Sequence, residues 1–162
     1  MSELSFRWAT PTLDIFFADV STDLPLPFAN DGIPAGFPSP AGDYLDLTID
    51  LNKELVDHPD ATFYARVKGN SMQDVGIQND DVLVVDRSLT ANNGDIIVAF
   101  LNGEFTVKRL RFSEDTCLLL PANQDYPQTR ISEGDDFRVW GVVTYVIKNV
   151  REGGRDKWVS LR

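Results

Sequence analysis

The sequence predicts a mostly β protein, in which short strands curl into a small barrel-like sheet or a sandwich behind an extended N-terminal arm. Short apolar or alternating runs are separated by frequent turn signals, few segments are typical of helices, and prolines cluster near the N-terminus. The predicted organisation is an arm over residues 1–42, a β domain over residues 43–151, and a flexible C-terminal extension over residues 152–162.

Prolines and glycines interrupt the predicted arm. They are Pro11, Pro25, Pro27, Pro34, Pro38, Pro40, Gly32, Gly36 and Gly42. Within the arm, residues 13–20 predict a short helix that begins near Thr12 or Asp14. Phe16 and Phe17 are too apolar for a solvated tail, so we expect the arm to dock on its own body or on a partner.

The strands of the body follow from alternation and from turn residues. They are predicted at residues 44–51, 62–68, 82–86, 95–101, 104–112, 118–120 and 137–148. One or two helical turns over residues 51–58 are expected, with Asn52 as the cap. Residues 139–147 are nearly all apolar or aromatic, which predicts a strand in the centre of the sheet.

Asn102-Gly103 lies between two apolar runs and is the strongest short-range signal for a β-hairpin. If these two residues form the loop, Leu101 faces Glu104 and Lys108 faces Ile97. Leu110 and Thr106 then share the side of the sheet on which Lys108 lies. The register therefore predicts largely apolar surroundings for a lysine.

Composition limits the function classes. The net charge is −10, and the one basic cluster, Lys108-Arg109-Arg111, is interleaved with apolar strand residues, so direct DNA binding is not expected. A single cysteine, Cys117, fits the reducing cytoplasm. We see no signal peptide and no run approaching the roughly 20 apolar residues of a membrane helix. The sequence predicts a cytoplasmic protein without a membrane segment, cofactor or metal.

Ser71 is a candidate nucleophile, because Gly69 lets the chain turn sharply just before it. A serine needs a base, and the sole histidine, His58, is interpreted as an exposed turn residue, which leaves Lys108. Neutralising a lysine at pH 7 costs about 4.6 kcal/mol, which burial among apolar groups can supply. The backbone N–H groups of Ser71 and Met72 are candidate oxyanion-hole donors. On spacing alone, such a serine is usually a turn residue and such a lysine is usually solvated, so both interpretations stay open at this point.

A series of motifs carries a resemblance that bears on this choice. In order, they are Gly69-Asn70-Ser71-Met72, Gly76-Ile77, Asp80-Asp81-Val82-Leu83-Val84-Val85-Asp86, Gly94-Asp95-Ile96-Ile97 and Gly103-Glu104-Phe105-Thr106-Val107-Lys108-Arg109-Leu110. With this order and spacing, residues 35–151 resemble the LexA/UmuD family of self-cleaving serine peptidases. Residues 37–41, 50–52 and 58–59 are similar to its UmuD branch in particular, and the arm is too short for the operator-binding domain of LexA repressors.

The resemblance implies a nucleophile at Ser71, a base at Lys108, and a scissile bond between Ala35 and Gly36. It also implies a homodimer, stimulation by a RecA filament on single-stranded DNA, and a cleaved product that serves a UmuC-like error-prone DNA polymerase in the SOS response. The chain departs from the family pattern at Asn70, where the family has an acidic residue. Its leader of 35 residues and its extension after Arg151 are further departures.

Three other functions stay open. A LexA-like DNA-binding transcriptional regulator inactivated by self-cleavage is one, although the acidic balance and the prolines of the arm count against it. A signal-peptidase-like enzyme acting on other proteins shares the Ser-Lys chemistry, but no membrane anchor is visible. A catalytically inactive interaction module is the third.

Overall fold

The computed structural model describes residues 8–9, 12–28 and 47–151. Its strands are Trp8–Ala9 (β1), Leu13–Phe17 (β2), Pro25–Phe28 (β3), Leu47–Asp50 (β4), Thr62–Val67 (β5), Val82–Asp86 (β6), Ile96–Leu101 (β7), Glu104–Ser113 (β8), Thr116–Leu120 (β9), Thr129–Ile131 (β10) and Phe137–Ile147 (β11). One α-helix, Leu51–Leu55 (α1), and two 3₁₀ turns, Pro59–Ala61 and Gln73–Val75, complete the regular structure of these residues. None of the helices in this part of the chain has the length and apolar character needed to cross a membrane.

Nine strands form one antiparallel sheet in the order β1-β2-β5-β6-β11-β7-β8-β9-β10, and β3 pairs with β4 separately. β11 lies in the middle of the order, as its apolar sequence predicts. Register shifts occur along it between Val139 and Gly141, and between Val143 and Tyr145. Such bulges bend a strand and increase its twist, so they help the sheet to curl. The mostly β fold class is confirmed.

The predicted hairpin is confirmed residue by residue. β7 and β8 pair with Leu101 opposite Glu104 and Ile97 opposite Lys108. The loop residues Asn102 and Gly103 have φ values of 49° and 92°. Both lie in the left-handed region that this tight turn requires, which explains the Asn-Gly sequence.

The core consists of two clusters of buried side chains. The first, shared by β2, β5, β6, β7, β8 and the turn after β5, contains Leu13, Ile15, Phe63, Ala65, Val67, Met72, Ile77, Leu83, Val85, Val98, Phe105 and Val107. The second, shared by β7, β8, β9 and β11, contains Ile97, Ala99, Leu110, Leu119 and Val142. Because Met72 belongs to the first cluster, the turn that carries Ser71 is anchored to the core.

The helix predicted for residues 13–20 is wrong, because Leu13–Phe17 is strand β2. Apolar residues at helical spacing favoured the helix, but pairing with β5 satisfies the backbone and buries Leu13 and Ile15. The cap of α1 also differs from the prediction, since Asp50 and not Asn52 is the N-cap, and its side chain accepts a hydrogen bond from the Asn52 amide. The predicted boundary between residues 42 and 43 and the extension over residues 152–162 lie outside the described residues.

Candidate active site

Ser71 lies in a sharp turn that follows strand β5. Gly69 has a φ of 91°, a conformation that a residue with a side chain adopts only at a cost. Its N–H donates to Asn79 Oδ1 at 2.8 Å, which ties the turn to the following loop. The expectation that Gly69 permits a sharp turn before the serine is confirmed.

The loop after β9 holds this turn from the other side. The Ala122 amide donates to the carbonyl oxygen of Ser71 at 2.8 Å. The side-chain amide of Asn123 donates to the carbonyl oxygen of Asn70, also at 2.8 Å, and Asn123 is buried. Two hydrogen bonds at consecutive carbonyl groups fix the backbone on which the serine is presented.

The structure brings Lys108 to Ser71 across 37 positions of sequence. Lys108 Nζ lies 3.2 Å from Ser71 Oγ, 2.7 Å from Thr106 Oγ1 and 3.0 Å from the carbonyl oxygen of Val107. No carboxylate forms a salt bridge with this lysine among the described residues. Burial lowers the pKa of Lys108 below its ordinary value, because a charged amine loses hydration there.

The protonation state of Lys108 decides what it can do to the serine. As an ammonium group, it donates three hydrogen bonds, one to each neighbouring oxygen. As a neutral amine, it has two N–H groups and a lone pair. Thr106 Oγ1 and the Val107 carbonyl can then accept the two N–H groups, and the lone pair is available to accept the hydroxyl proton of Ser71. The neutral form is therefore the one that can act as a base.

The backbone N–H groups of Ser71 and Met72 were predicted to be oxyanion-hole donors. Within the described part of the chain, neither amide donates a hydrogen bond, and both residues line the cavity beside Lys108. The Met72 side chain is buried. The Met72 N–H shares a peptide group with the carbonyl of Ser71, and the hydrogen bond from the Ala122 amide to that carbonyl holds this peptide group. The arrangement is suited to a developing negative charge on a bound carbonyl group.

A cavity of about 200 Å³ lies in front of the serine and the lysine. One of its walls is Thr12, which comes from the predicted arm. The hydroxyl of Thr12 donates to the carbonyl oxygen of Phe105, and its own carbonyl oxygen accepts from the Lys68 amide at 2.9 Å. Tyr126, an exposed residue of the loop between β9 and β10, also lines the cavity.

No role in the site was predicted from the sequence for three of its residues. Thr106 lies two residues before Lys108 on the same strand face, so period-two alternation was a sufficient signal for its proximity. Thr12 and Asn123 reach the site from distant segments, and no local pattern indicates either of them. Ala35 and Gly36, the predicted scissile pair, lie outside the described residues.

His58 lies apart from this cavity and is half exposed, as expected for a turn residue. Its Nδ1 atom is 2.6 Å from Asp86 Oδ2 at the end of β6. The hydrogen bond and the charge of Asp86 raise the pKa of His58 above its ordinary value of 6.5. The described residues contain no cluster of histidine, cysteine and acidic side chains suited to a metal ion.

The sequence that forms the curled β domain and its serine-bearing turn matches a known protein family. Residues 27–144 match the family described as Peptidase S24-like. The chain belongs to this family, whose members are in general self-cleaving serine peptidases.

Similarity to individual proteins indicates which branch of the family this chain resembles. Protein MucA of Salmonella typhimurium is 48% identical over 121 residues, which cover 74% of this chain and 82% of that protein. Protein ImpA of Shigella flexneri is 44% identical over 126 residues, or 78% of this chain and 86% of that protein. The LexA repressor of Paracidovorax citrulli (strain AAC00-1) is 40% identical over 118 residues, or 72% of this chain but 52% of the repressor. The resemblance to the UmuD branch of the LexA/UmuD family is confirmed.

Proposed function

We propose that this protein is a Ser-Lys endopeptidase that cuts its own chain between Ala35 and Gly36. The observation that carries the proposal is the distance of 3.2 Å between Lys108 Nζ and Ser71 Oγ, with a lysine whose pKa is lowered by burial. The family supports self-cleavage in general, and the chemistry of these two side chains supplies a specific route to it.

In the proposed reaction, neutral Lys108 takes the hydroxyl proton of Ser71 while Oγ attacks the carbonyl carbon of Ala35. The amides of Ser71 and Met72 donate to the resulting oxyanion. The bond from carbon to the Gly36 nitrogen then breaks, and the proton on Lys108 passes to that nitrogen. Water, deprotonated by Lys108, then attacks the ester on Ser71; the bond from carbon to Oγ breaks, Lys108 returns a proton to Oγ, and residues 1–35 are left with a free carboxylate at Ala35.

We further propose that the shortened product is the accessory subunit of an error-prone translesion DNA polymerase, and that a RecA filament on single-stranded DNA stimulates the cut. Relatives of the UmuD type that this chain covers over most of their length support this role. A homodimer and a cytoplasmic location belong to the same proposal, and the single Cys117 is compatible with a reducing compartment.

The cut also separates the charge of residues 1–35 from the covalent chain of the product. That segment carries five acidic residues and one basic residue, a net charge of −4, so the total of −10 becomes −6. The residues are Glu3, Asp14, Asp19, Asp23, Asp31 and Arg7. Residues 36–162 alone are therefore less acidic than the intact chain, and a partner meets this lower charge once the fragment has dissociated.

A second candidate is a transcriptional regulator inactivated by the same cut. The identity of 40% to a LexA repressor favours it, but the match covers 52% of that protein. In the described part of the arm, residues 8–9 and 12–28 form strands and connecting segments, and none of them forms the helices of a DNA-reading motif. A salt-sensitive, sequence-specific gel shift by the uncut protein would favour the regulator.

The test of self-cleavage is mass spectrometry of the purified protein with time, at raised pH and with or without an active RecA filament. We expect the wild type to lose residues 1–35, and Ser71→Ala and Lys108→Ala to stay intact. Cleavage at another bond would overturn the assignment of Ala35 and Gly36. Intact wild-type protein under all of these conditions would end the peptidase proposal.

A further inference from the structure

We propose that the N-terminal fragment stays bound after the chain is cut, as a non-covalent strand in the sheet of the remaining body. This inference rests on the proposed function for one point, the position of the natural cut between Ala35 and Gly36. It assigns a binding site for an extended peptide to the outer edge of β5, and it names residues 12–28 of the same chain as the occupant.

β2 is an integral strand of the sheet. It pairs with β5 over five residues, from Leu13 opposite Val67 to Phe17 opposite Phe63. Leu13 and Ile15 are 0% and 4% exposed and belong to the first core cluster. A segment that merely rested on the surface would leave these side chains accessible, so β2 contributes to the core in the same way as the strands of the body.

Polar contacts fix the register of β2. Asp14 is 4% exposed, and its carboxylate lies 2.8 Å from the Lys68 ammonium group. The backbone of Thr12 accepts from the Lys68 amide, and its hydroxyl donates to β8 at Phe105. A strand shifted by one residue would place Asp14 on the opposite face, so the contacts select one alignment.

A second attachment holds residues 22–28. β3 pairs with β4 from Pro25 opposite Asp50 to Phe28 opposite Leu47. The Leu24 amide donates to Asp50 Oδ1 at 3.1 Å, and the Asn52 side-chain amide donates to the carbonyl oxygen of Thr22 at 2.6 Å. All of these contacts join a residue before the proposed cut to a residue after it.

Cutting the bond between Ala35 and Gly36 removes none of these contacts. It removes the covalent link, and with it the high effective concentration of the strand at its site. Departure of the fragment would also leave the β5 edge unpaired and open the first core cluster to water. Backbone pairing together with buried alternate side chains is the mode by which sheets bind extended peptides. The product would then retain Thr12 as a wall of the cavity beside Ser71.

The test separates retention from self-cleavage. In the full-length protein carrying Ser71→Ala, the residues around position 35 are replaced by a recognition sequence for an added protease. After complete cutting, size-exclusion chromatography at native pH is followed by mass spectrometry of each fraction. We expect both pieces in one peak, and separate peaks after denaturation. Elution of the small piece alone under native conditions would overturn the proposal, whatever the wild type does to itself.

Matched variants test whether β2 is responsible. Ile15→Ser should raise the dissociation rate of the cut fragment by at least about tenfold, because a buried apolar contact is lost. Phe17→Ser, at the 58% exposed end of the same strand, should change that rate by no more than about twofold. Equal rates for the two variants would contradict a strand held through its buried side chains.

Hydrogen exchange provides a readout that needs no core variant. We expect the β5 amides to be protected to a similar degree before and after the protease cut. Protection that collapses across β5 on cutting, while β7 and β8 stay protected, would show that β2 has left the sheet and would overturn the proposal.

Discussion

Lys108 Nζ donates to Ser71 Oγ at 3.2 Å in a pocket where the other oxygen neighbours of the amine are Thr106 Oγ1 and the Val107 carbonyl. These two oxygens can accept both N–H groups of a neutral amine. The direction of the bond between Lys108 and Ser71 therefore depends on one proton. The rate of the proposed reaction should therefore depend on pH and on each hydrogen-bond partner of the amine.

The rate of self-cleavage should rise with pH. Because burial lowers the pKa of Lys108 below its ordinary value of 10.5, the neutral fraction grows as the pH rises towards that lowered pKa. The rate should increase about tenfold per pH unit well below the pKa and then level off. Initial rates in a series of buffers at constant ionic strength measure this. A rate that is flat over the whole range, or that falls as the pH rises, would contradict a lysine base.

Lys108→Arg should abolish cleavage although it keeps the charge. A guanidinium group stays protonated at any pH the protein tolerates, so it cannot accept the serine proton. We expect a loss of about a thousandfold or more in the rate. Lys53→Arg, at a lysine that is 71% exposed and does not line the cavity, is the matched control and should cleave normally.

Thr106→Val should lower the plateau rate and shift the pH profile. The hydroxyl lies 2.7 Å from Lys108 Nζ, and a hydrogen bond to a charged donor is stronger than one to a neutral donor. Its loss therefore disfavours the ammonium form, so the inflection should move to lower pH, while poorer positioning of the amine reduces the plateau by about tenfold. Thr116→Val on β9 should leave both quantities unchanged. A lower plateau with an unmoved inflection would assign Thr106 a packing role only.

Gly141→Ala should destabilise the fold. A β-carbon there would lie 2.7 Å from Val85 Cγ1 and 3.0 Å from the carbonyl oxygen of Asp86, both on the neighbouring strand β6. We expect a loss of about 1–3 kcal/mol in the free energy of unfolding, measured with urea. Gly134→Ala, where no atom lies within 4 Å of the added carbon, should change the free energy by less than about 0.5 kcal/mol.

The bond between His58 and Asp86 should make stability depend on pH. Because Asp86 raises the pKa of His58 above 6.5 in the folded protein, the stabilisation is fully present below that value. It should disappear as the pH rises through the higher folded pKa. Urea unfolding of the wild type and of His58→Ala at several pH values should therefore show a stability difference that shrinks on the alkaline side. A difference that grows there would contradict a protonated histidine in this pair.

Local patterns predicted much of the sheet. Asn102 and Gly103 fixed the turn, and the turn fixed the opposition of Lys108 and Ile97, because a two-residue loop admits one register. The apolar run over residues 139–147 indicated the central strand, and β11 does lie in the middle of the strand order. It is not covered on both faces, however, since Val139, Tyr145 and Ile147 are exposed. The proximity of Ser71 and Lys108, in contrast, followed from the resemblance, because no local rule joins residues 37 positions apart.

The prediction failed where a segment's partner lay far away in the chain. Leu13, Phe16 and Phe17 have helical spacing, but β5 supplies a ladder on which the same residues form a strand. The N-cap of α1 is Asp50, two positions before the predicted Asn52. The position of the cap depends on how the chain passes from β4 into the helix. Thr12 reaches the cavity only because β2 is held in this ladder, so its place could not be inferred before the pairing was known.

The pairing of β2 with β5 can form during synthesis, before the whole active site has been made. β2 ends at Phe17 and β5 begins at Thr62, so at about 5–20 residues per second the first strand waits several seconds for its partner. Lys108 leaves the ribosome later still. Under the proposed chemistry, a nascent chain that holds the serine but not the amine cannot cut itself. The order of synthesis thus lets the N-terminal strand join the sheet before any peptide bond is at risk.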